Sequence, residues 1–243
     1  MKVITVENYD EMSRVAADMI AEIVTANPDA TLGLATGSTP IGCYKLLADF
    51  CASKKVSFAH VKAVNLDEYV GLPATHSQSY AYFMRRNLFD HIDIDLGNTA
   101  IPNGCADDVE EECANYCGLV ERLPRDVQVL GLGSNGHIGF NEPNTPFDCS
   151  THLVELTAST VKDNSRLFDD PNEVPKKAIT MGIAEIMQAR KIILLASGAN
   201  KAQAVYNLVK GNVTESCPAS ILQRHPDCVA IVDKEAGRLL PNE

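Results

Sequence analysis

The chain has too little positive charge to hold a polyanion: 21 Lys and Arg stand against 32 Asp and Glu, a formal net charge of −11. A nucleic-acid binder needs a basic stripe to neutralise phosphates, and this sequence has none. A small phosphorylated ligand is still open to it, because two or three well-placed cations and backbone N–H groups suffice. No uncharged apolar run approaches the roughly 20 residues that span a bilayer, and Met1 to Asp10 carries no apolar signal core. The expectation is a soluble, cytoplasmic protein with no membrane partner. The eight cysteines are scattered and none forms a Cys-x-x-Cys pair, so they read as free thiols. Cys113 and Cys117 share a helical face at i, i+4 but lack a nearby His to complete a ligand set, so no metal is expected. With no Pro/Ser/Gly-rich linker, internal repeat or low-complexity tract, residues 1–243 are expected to form one domain.

Short apolar runs rich in β-branched residues alternate with longer segments of helical period. Candidate strands are Val3–Val6, Thr31–Ala35, Val61–Leu66, Val127–Leu132, Lys191–Ala196 and Cys228–Val232; candidate helices are Tyr9–Ala26, Pro40–Ser53, Ser77–Phe89, Asp107–Arg122, Ile183–Ala189 and Ala199–Lys210. This alternation predicts an α/β fold: a Rossmann-like open, mostly parallel sheet with helices on both faces. Polar clusters follow four of the strands, and in such a sheet ligands sit outside the carboxyl ends, so the clusters should converge on one crevice.

Gly131-Leu132-Gly133-Ser134-Asn135-Gly136-His137-Ile138-Gly139-Phe140-Asn141-Glu142-Pro143 follows the fourth strand. Glycines there bring backbone close to a ligand, and a carboxylate five residues from His137 can orient and charge-support the imidazole for proton transfer. In Thr36-Gly37-Ser38-Thr39-Pro40, Thr39 is suited to a helix cap and Pro40 to the first helical position; the helix N-terminus and three hydroxyls would fit an anion. The segment ends neither as a Walker A loop nor as a dinucleotide fingerprint. Lys201, in the first turn of a helix, opposes the dipole unless an anion lies nearby, and Arg166 could add a bidentate contact. Asp67 emerges at a strand end beside Glu68, a like charge that should raise its pKa, as a base for carbon acid chemistry requires.

Together these segments resemble the glucosamine-6-phosphate deaminase (glucosamine-6-phosphate isomerase) family. The matching pieces are Leu32 to Pro40, Leu66-Asp67-Glu68-Tyr69-Val70-Gly71-Leu72-Pro73, Gly131 to Pro143, Asn164-Ser165-Arg166 and Ser197-Gly198-Ala199-Asn200-Lys201-Ala202. The resemblance implies conversion of glucosamine 6-phosphate and water to fructose 6-phosphate and ammonia, in amino-sugar catabolism, without metal or organic cofactor. It implies that Asp67 moves a proton between C2 and C1 and that His137 catalyses ring opening, with Glu142 and Asn135 supporting it. It further implies a phosphate grip from Thr36, Gly37, Ser38, Thr39, Arg166 and Lys201, and a place for Tyr80 in a mobile lid.

Two departures bear on these expectations. Some family members have Asp where this chain has Asn135, which leaves Glu142 as the anionic partner of His137. The sequence also stops at Glu243 and has His152 and Val154 where hexameric, allosteric members present basic residues to an effector. The short, non-allosteric type, a monomer, is expected. The competing readings are a 6-phosphogluconolactonase-like hydrolase, in which a base for C–H abstraction has no task, and a non-catalytic sugar-phosphate sensor, which would need a DNA-binding module the chain has no room for.

Overall fold

The computed structural model describes residues 1–157 and 174–241. Seven parallel strands form one sheet, in the spatial order β1-β10-β9-β6-β2-β3-β5. They are β1 (Lys2–Val6), β2 (Thr31–Leu34), β3 (Lys62–Asn65), β5 (Thr99–Ala100), β6 (Val127–Gly131), β9 (Ile192–Ala196) and β10 (Cys228–Asp233). Every residue of β9 and β10 is buried, whereas the edge strands β1 and β5 are half open. Parallel strands covered on both faces need this unbroken apolar sequence, which is why the runs Ile192–Ala196 and Cys228–Val232 do not alternate.

The helices that cover the sheet include α1 (Tyr9–Ala26), α2 (Ile41–Ala52), α3 (Tyr80–Asn87) and α4 (Val109–Arg122), with shorter helices at Ile183–Ile186, Ala202–Lys210 and Lys234–Gly237. Sequence chemistry fixes their ends. The Asn8 side chain accepts the Glu11 N–H at the start of α1, and Asp108 accepts the N–H groups of Glu110 and Glu111 at the start of α4. Met12, Ala16, Ile20 and Val24 recur at four-residue intervals and bury one face of α1.

The strand order reverses between β2 and β6: from β2 the chain proceeds through β3 to β5 at one edge, then returns to β6 on the other side of β2. The loops leaving β2 and β6 therefore diverge at the carboxyl ends and open a crevice there. These are the Thr36–Thr39 and Gly131–Glu142 segments.

A second, three-stranded antiparallel sheet stands beside this crevice, in the order β4-β8-β7: β4 (Asp67–Tyr69), β8 (Lys177–Thr180) and β7 (His152–Glu155). One residue, Leu66, separates β3 from β4, and its carbonyl accepts the Met181 N–H. The chain thus leaves one sheet and enters the other where the ligand site begins. A small hydrophobic cluster of Tyr69, Phe140, Leu156 and Ala178 packs this sheet, apart from the main core. The periodicity anticipates the main sheet except for two-residue β5, and it misses β4, β7 and β8. Those strands are three or four residues long, contain charged side chains of low β propensity, and gain their order from non-local pairing, which for β4 and β8 spans over a hundred residues.

Candidate active site

Thr36, Gly37, Ser38, Thr39, Asp67, Tyr80, His137 and Lys201 line one cavity of about 500 Å³. The crevice expected from the sequence therefore brings together four separate segments. Asn135 and Glu142 are not part of the lining and stand behind His137, as supports. Arg166 lies outside the described residues.

Asp67 is buried, 5 % exposed. Burial, followed by the nearby Glu68 charge, pushes its carboxyl group up from the ordinary 3.8 to about 8. No described residue donates a hydrogen bond to it that would offset the desolvation. Its backbone pairs with Thr180 of β8, and Gly139 approaches from the other side. A Cβ on Gly139 would lie 3.6 Å from Asp67 Oδ2, and its φ of +57° is one that side-chain-bearing residues rarely adopt. The two neighbouring acids thus divide: Asp67 faces the cavity, while Glu68 turns away to accept backbone N–H groups.

In the β6 loop, a tight turn carries His137 back over Gly133. The Gly133 N–H donates to the His137 carbonyl at 2.9 Å, and the imidazole occupies the space a Gly133 side chain would need. Asn135 bridges the constellation: its Oδ1 accepts the His137 N–H at 3.2 Å, and its Nδ2 donates to Glu142 Oε2 at 2.7 Å. His137 Nδ1 lies 3.6 Å from that same oxygen, beyond a normal hydrogen bond but close enough for the carboxylate to support an imidazolium. Asn141 fastens the loop from below by donating to the carbonyls of Ile138 and Met181.

The Thr36–Pro40 turn differs from expectation in one detail. Pro40 occupies the cap position of α2, rather than the first helical position, and no side chain caps the helix. Thr39 is therefore not the cap. Tyr9 of α1 does part of that work: its hydroxyl accepts the Gly42 N–H at 2.8 Å and donates to the Ser38 carbonyl at 3.1 Å. Capping from outside the turn leaves the Ser38 and Thr39 side chains unused by the helix, at the positive end of its dipole. On the opposite wall, Lys201 ends a 3₁₀ turn (Ala199–Lys201) that leads into the helix Ala202–Lys210. Asp233 anchors that wall by accepting the Ser197 hydroxyl and the Gly198 N–H.

Tyr80 begins α3. Its hydroxyl donates to that of Tyr69 at 3.2 Å, is also bonded by Thr36, and its ring stacks on Phe140. Burial foremost, then Tyr69 and Asp67, hold its phenol well above the ordinary value, so it stays protonated. Sequence reasoning missed the rest of this wall: Tyr82, Phe83, Arg86 and Asn87 of α3 also line the cavity. The available signal was spacing, since Tyr82/Arg86 and Phe83/Asn87 are i, i+4 pairs on adjoining helical stripes.

Residues 6–230 match the family described as glucosamine-6-phosphate isomerases/6-phosphogluconolactonase. Over 244 residues the chain is 50% identical to a glucosamine-6-phosphate deaminase of Thermoanaerobacter pseudethanolicus, covering 100% of this chain and 96% of that protein. A glucosamine-6-phosphate deaminase of Clostridium botulinum is 51% identical over 241 residues, 99% of each chain. Among solved structures, a monomeric glucosamine-6-phosphate deaminase superposes with a TM-score of 0.96 at 46% identity, covering 98% of this chain and 100% of the other. A 6-phosphogluconolactonase from Trypanosoma brucei, at 21% identity and a TM-score of 0.82 over 99% of this chain and 98% of the other, shares the fold. With that match spanning nearly all of its length, the chain belongs to the glucosamine-6-phosphate isomerase/6-phosphogluconolactonase family.

Proposed function

We propose that this chain is a single-domain glucosamine-6-phosphate deaminase, forming fructose 6-phosphate and ammonia from glucosamine 6-phosphate and water. The observation that carries the reading is a buried carboxyl group, Asp67, held near neutrality on the same cavity as His137 and an anion-binding helix end. His137, backed by Glu142 and Asn135, moves the proton that opens the sugar ring to the free aldehyde. Asp67 then takes the C2 proton, giving an enolamine, and returns it to C1, leaving an imine at C2. Water adds to that imine and ammonia departs, so the ketone of fructose 6-phosphate remains. A carboxyl group with a pKa of about 8 suits both halves of the transfer, because acceptance and return are then nearly balanced at working pH. Ser38, Thr39, Gly37, Lys201 and Arg166 grip the phosphate on C6, at the far end of the sugar from the chemistry at C1 and C2, and Thr36 with Tyr80 closes the space between. We place the enzyme in the cytoplasm, in amino-sugar catabolism.

The test is ammonia release coupled to fructose 6-phosphate formation by the purified chain without added metal. Hydrolysis of 6-phosphogluconolactone with no ammonia release would favour the lactonase reading; binding without turnover of either compound would favour a sensor. The monomeric deaminase that this fold matches supports a second expectation. The velocity curve is hyperbolic, and saturating N-acetylglucosamine 6-phosphate leaves its shape unchanged. A sigmoidal curve made hyperbolic by that compound would refute the non-allosteric assignment.

A further inference from the structure

Glu68 has no role in the steps above, yet it is one of the most enclosed charges in the molecule, 2 % exposed. Its carboxylate accepts three backbone N–H groups: Tyr69 at 2.8 Å and Tyr80 at 2.9 Å on Oε1, and Ala81 at 2.9 Å on Oε2. Tyr80 and Ala81 are the first two residues of α3, whose N–H groups have no partner within the helix. Among the described residues no cation pairs with Glu68. The charge is thus held by the dipole end and amides of a helix that itself forms one wall of the cavity. The same carboxylate belongs to the residue next to Asp67.

We propose that Glu68 is a positioning residue that couples the seating of α3 over the cavity to the charge surrounding Asp67. Burial raises the Glu68 carboxyl group above its ordinary value and, with α3 seated, the three N–H groups offset part of that rise; the Glu68 anion opposes ionisation of Asp67. Should α3 lift, Glu68 loses the Tyr80 and Ala81 donors and must take up a proton or water. Its field on Asp67 then weakens, and Asp67 becomes a weaker base toward the proton at C2. The base is therefore strengthened for proton abstraction when α3 closes the site. The other groups that face this carboxyl pair are Tyr80 of α3, Tyr116 of α4, and Thr180 of β8. Tyr69 lies within β4 and His137 on the cavity, and none of these carries a fixed positive charge. Among them Glu68 is the carboxyl group whose anion is held by backbone amides.

The inference rests on Asp67 being the base, and the experiment separates the two. kcat/KM is measured against pH for the wild type, Glu68→Gln, Glu68→Asp and Asp67→Asn. Gln keeps the volume without the charge, so the midpoint of the limb on which the base ionises should fall by about one pH unit, with KM raised. Asp keeps the charge but is too short to hold both α3 amides, so KM should rise while the midpoint stays within a few tenths of a unit. A midpoint that E68Q leaves in place, or that E68D moves as far as E68Q does, overturns the coupling. If E68Q does not fold, E68D still decides, since an unchanged KM in that variant also overturns it. Turnover retained by D67N would instead remove the assignment of Asp67 itself.

Discussion

Asp67→Asn should lose about 10³-fold in kcat while gaining stability as the pH is raised. The two effects have one cause. Burial and the Glu68 charge raise the folded-state pKa of Asp67 from 3.8 to about 8, so the folded chain binds this proton more tightly than the unfolded chain does. The associated stability is fully present below about pH 4 and is lost progressively as the pH rises to about 8. Above that, the ionised carboxylate burdens the fold by an amount on the order of 6 kcal/mol. Asn cannot ionise and escapes the burden. Urea unfolding of both proteins at pH 4 and pH 9 measures it: the variant should match the wild type at the lower pH and exceed it at the higher. Equal differences at both pH values would mean that the Asp67 carboxyl group is not desolvated as the geometry requires. The catalytic half is read by ammonia release, with binding of an acyclic, reduced analogue of the substrate retained. Loss of binding along with turnover would point to a structural role.

His137→Gln should lower kcat by about 10²- to 10⁴-fold with the cyclic substrate, yet bind that same acyclic analogue as tightly as the wild type. The imidazole packs on Gly133 and lies near Glu142, so its removal takes away a proton carrier without touching the turn after β2 or the Lys201 wall. Binding titrations with the analogue beside steady-state turnover separate the two roles. If the variant binds the acyclic analogue poorly, His137 holds the open chain in place and ring opening must be assigned elsewhere. The reach of Asn135 sharpens this expectation. One side chain accepts from the His137 backbone and donates to Glu142, so an amide orients the carboxylate without adding a second negative charge beside it. The departure from Asp at this position therefore keeps the hydrogen-bonded connection.

Much of the site was legible because its residue types have few other uses in those settings. A His and a Glu among glycines at a strand end, and hydroxyls before a helix, point to chemistry whatever the surroundings. The wall formed by α3 was much less visible. Tyr82, Phe83, Arg86 and Asn87 are ordinary helix-surface residues, and they become lining because that helix, its start held by Glu68 and capped by Ser79, lies along the cavity. The turn after β2 was read correctly as a turn and helix start, with the wrong cap. Tyr9, 33 residues upstream of Gly42, takes that place, and sequence proximity gives no hint of it.

The sequence by itself determined the alternation of buried strands and amphipathic helices, hence the parallel sheet and the four loops at its carboxyl ends. Those features follow from local pattern: apolar runs, helical period, caps and glycines. Tertiary structure alone decided that β4, β7 and β8 form a second sheet, and that burial, more than the neighbouring charge legible in the sequence, drives Asp67 to near-neutral pKa while Glu68 is held by amides. Their difference comes from the partners each one meets, because the proton affinity of a carboxyl group is set by the water it loses and the donors it finds, and both arrive from distant parts of the sequence.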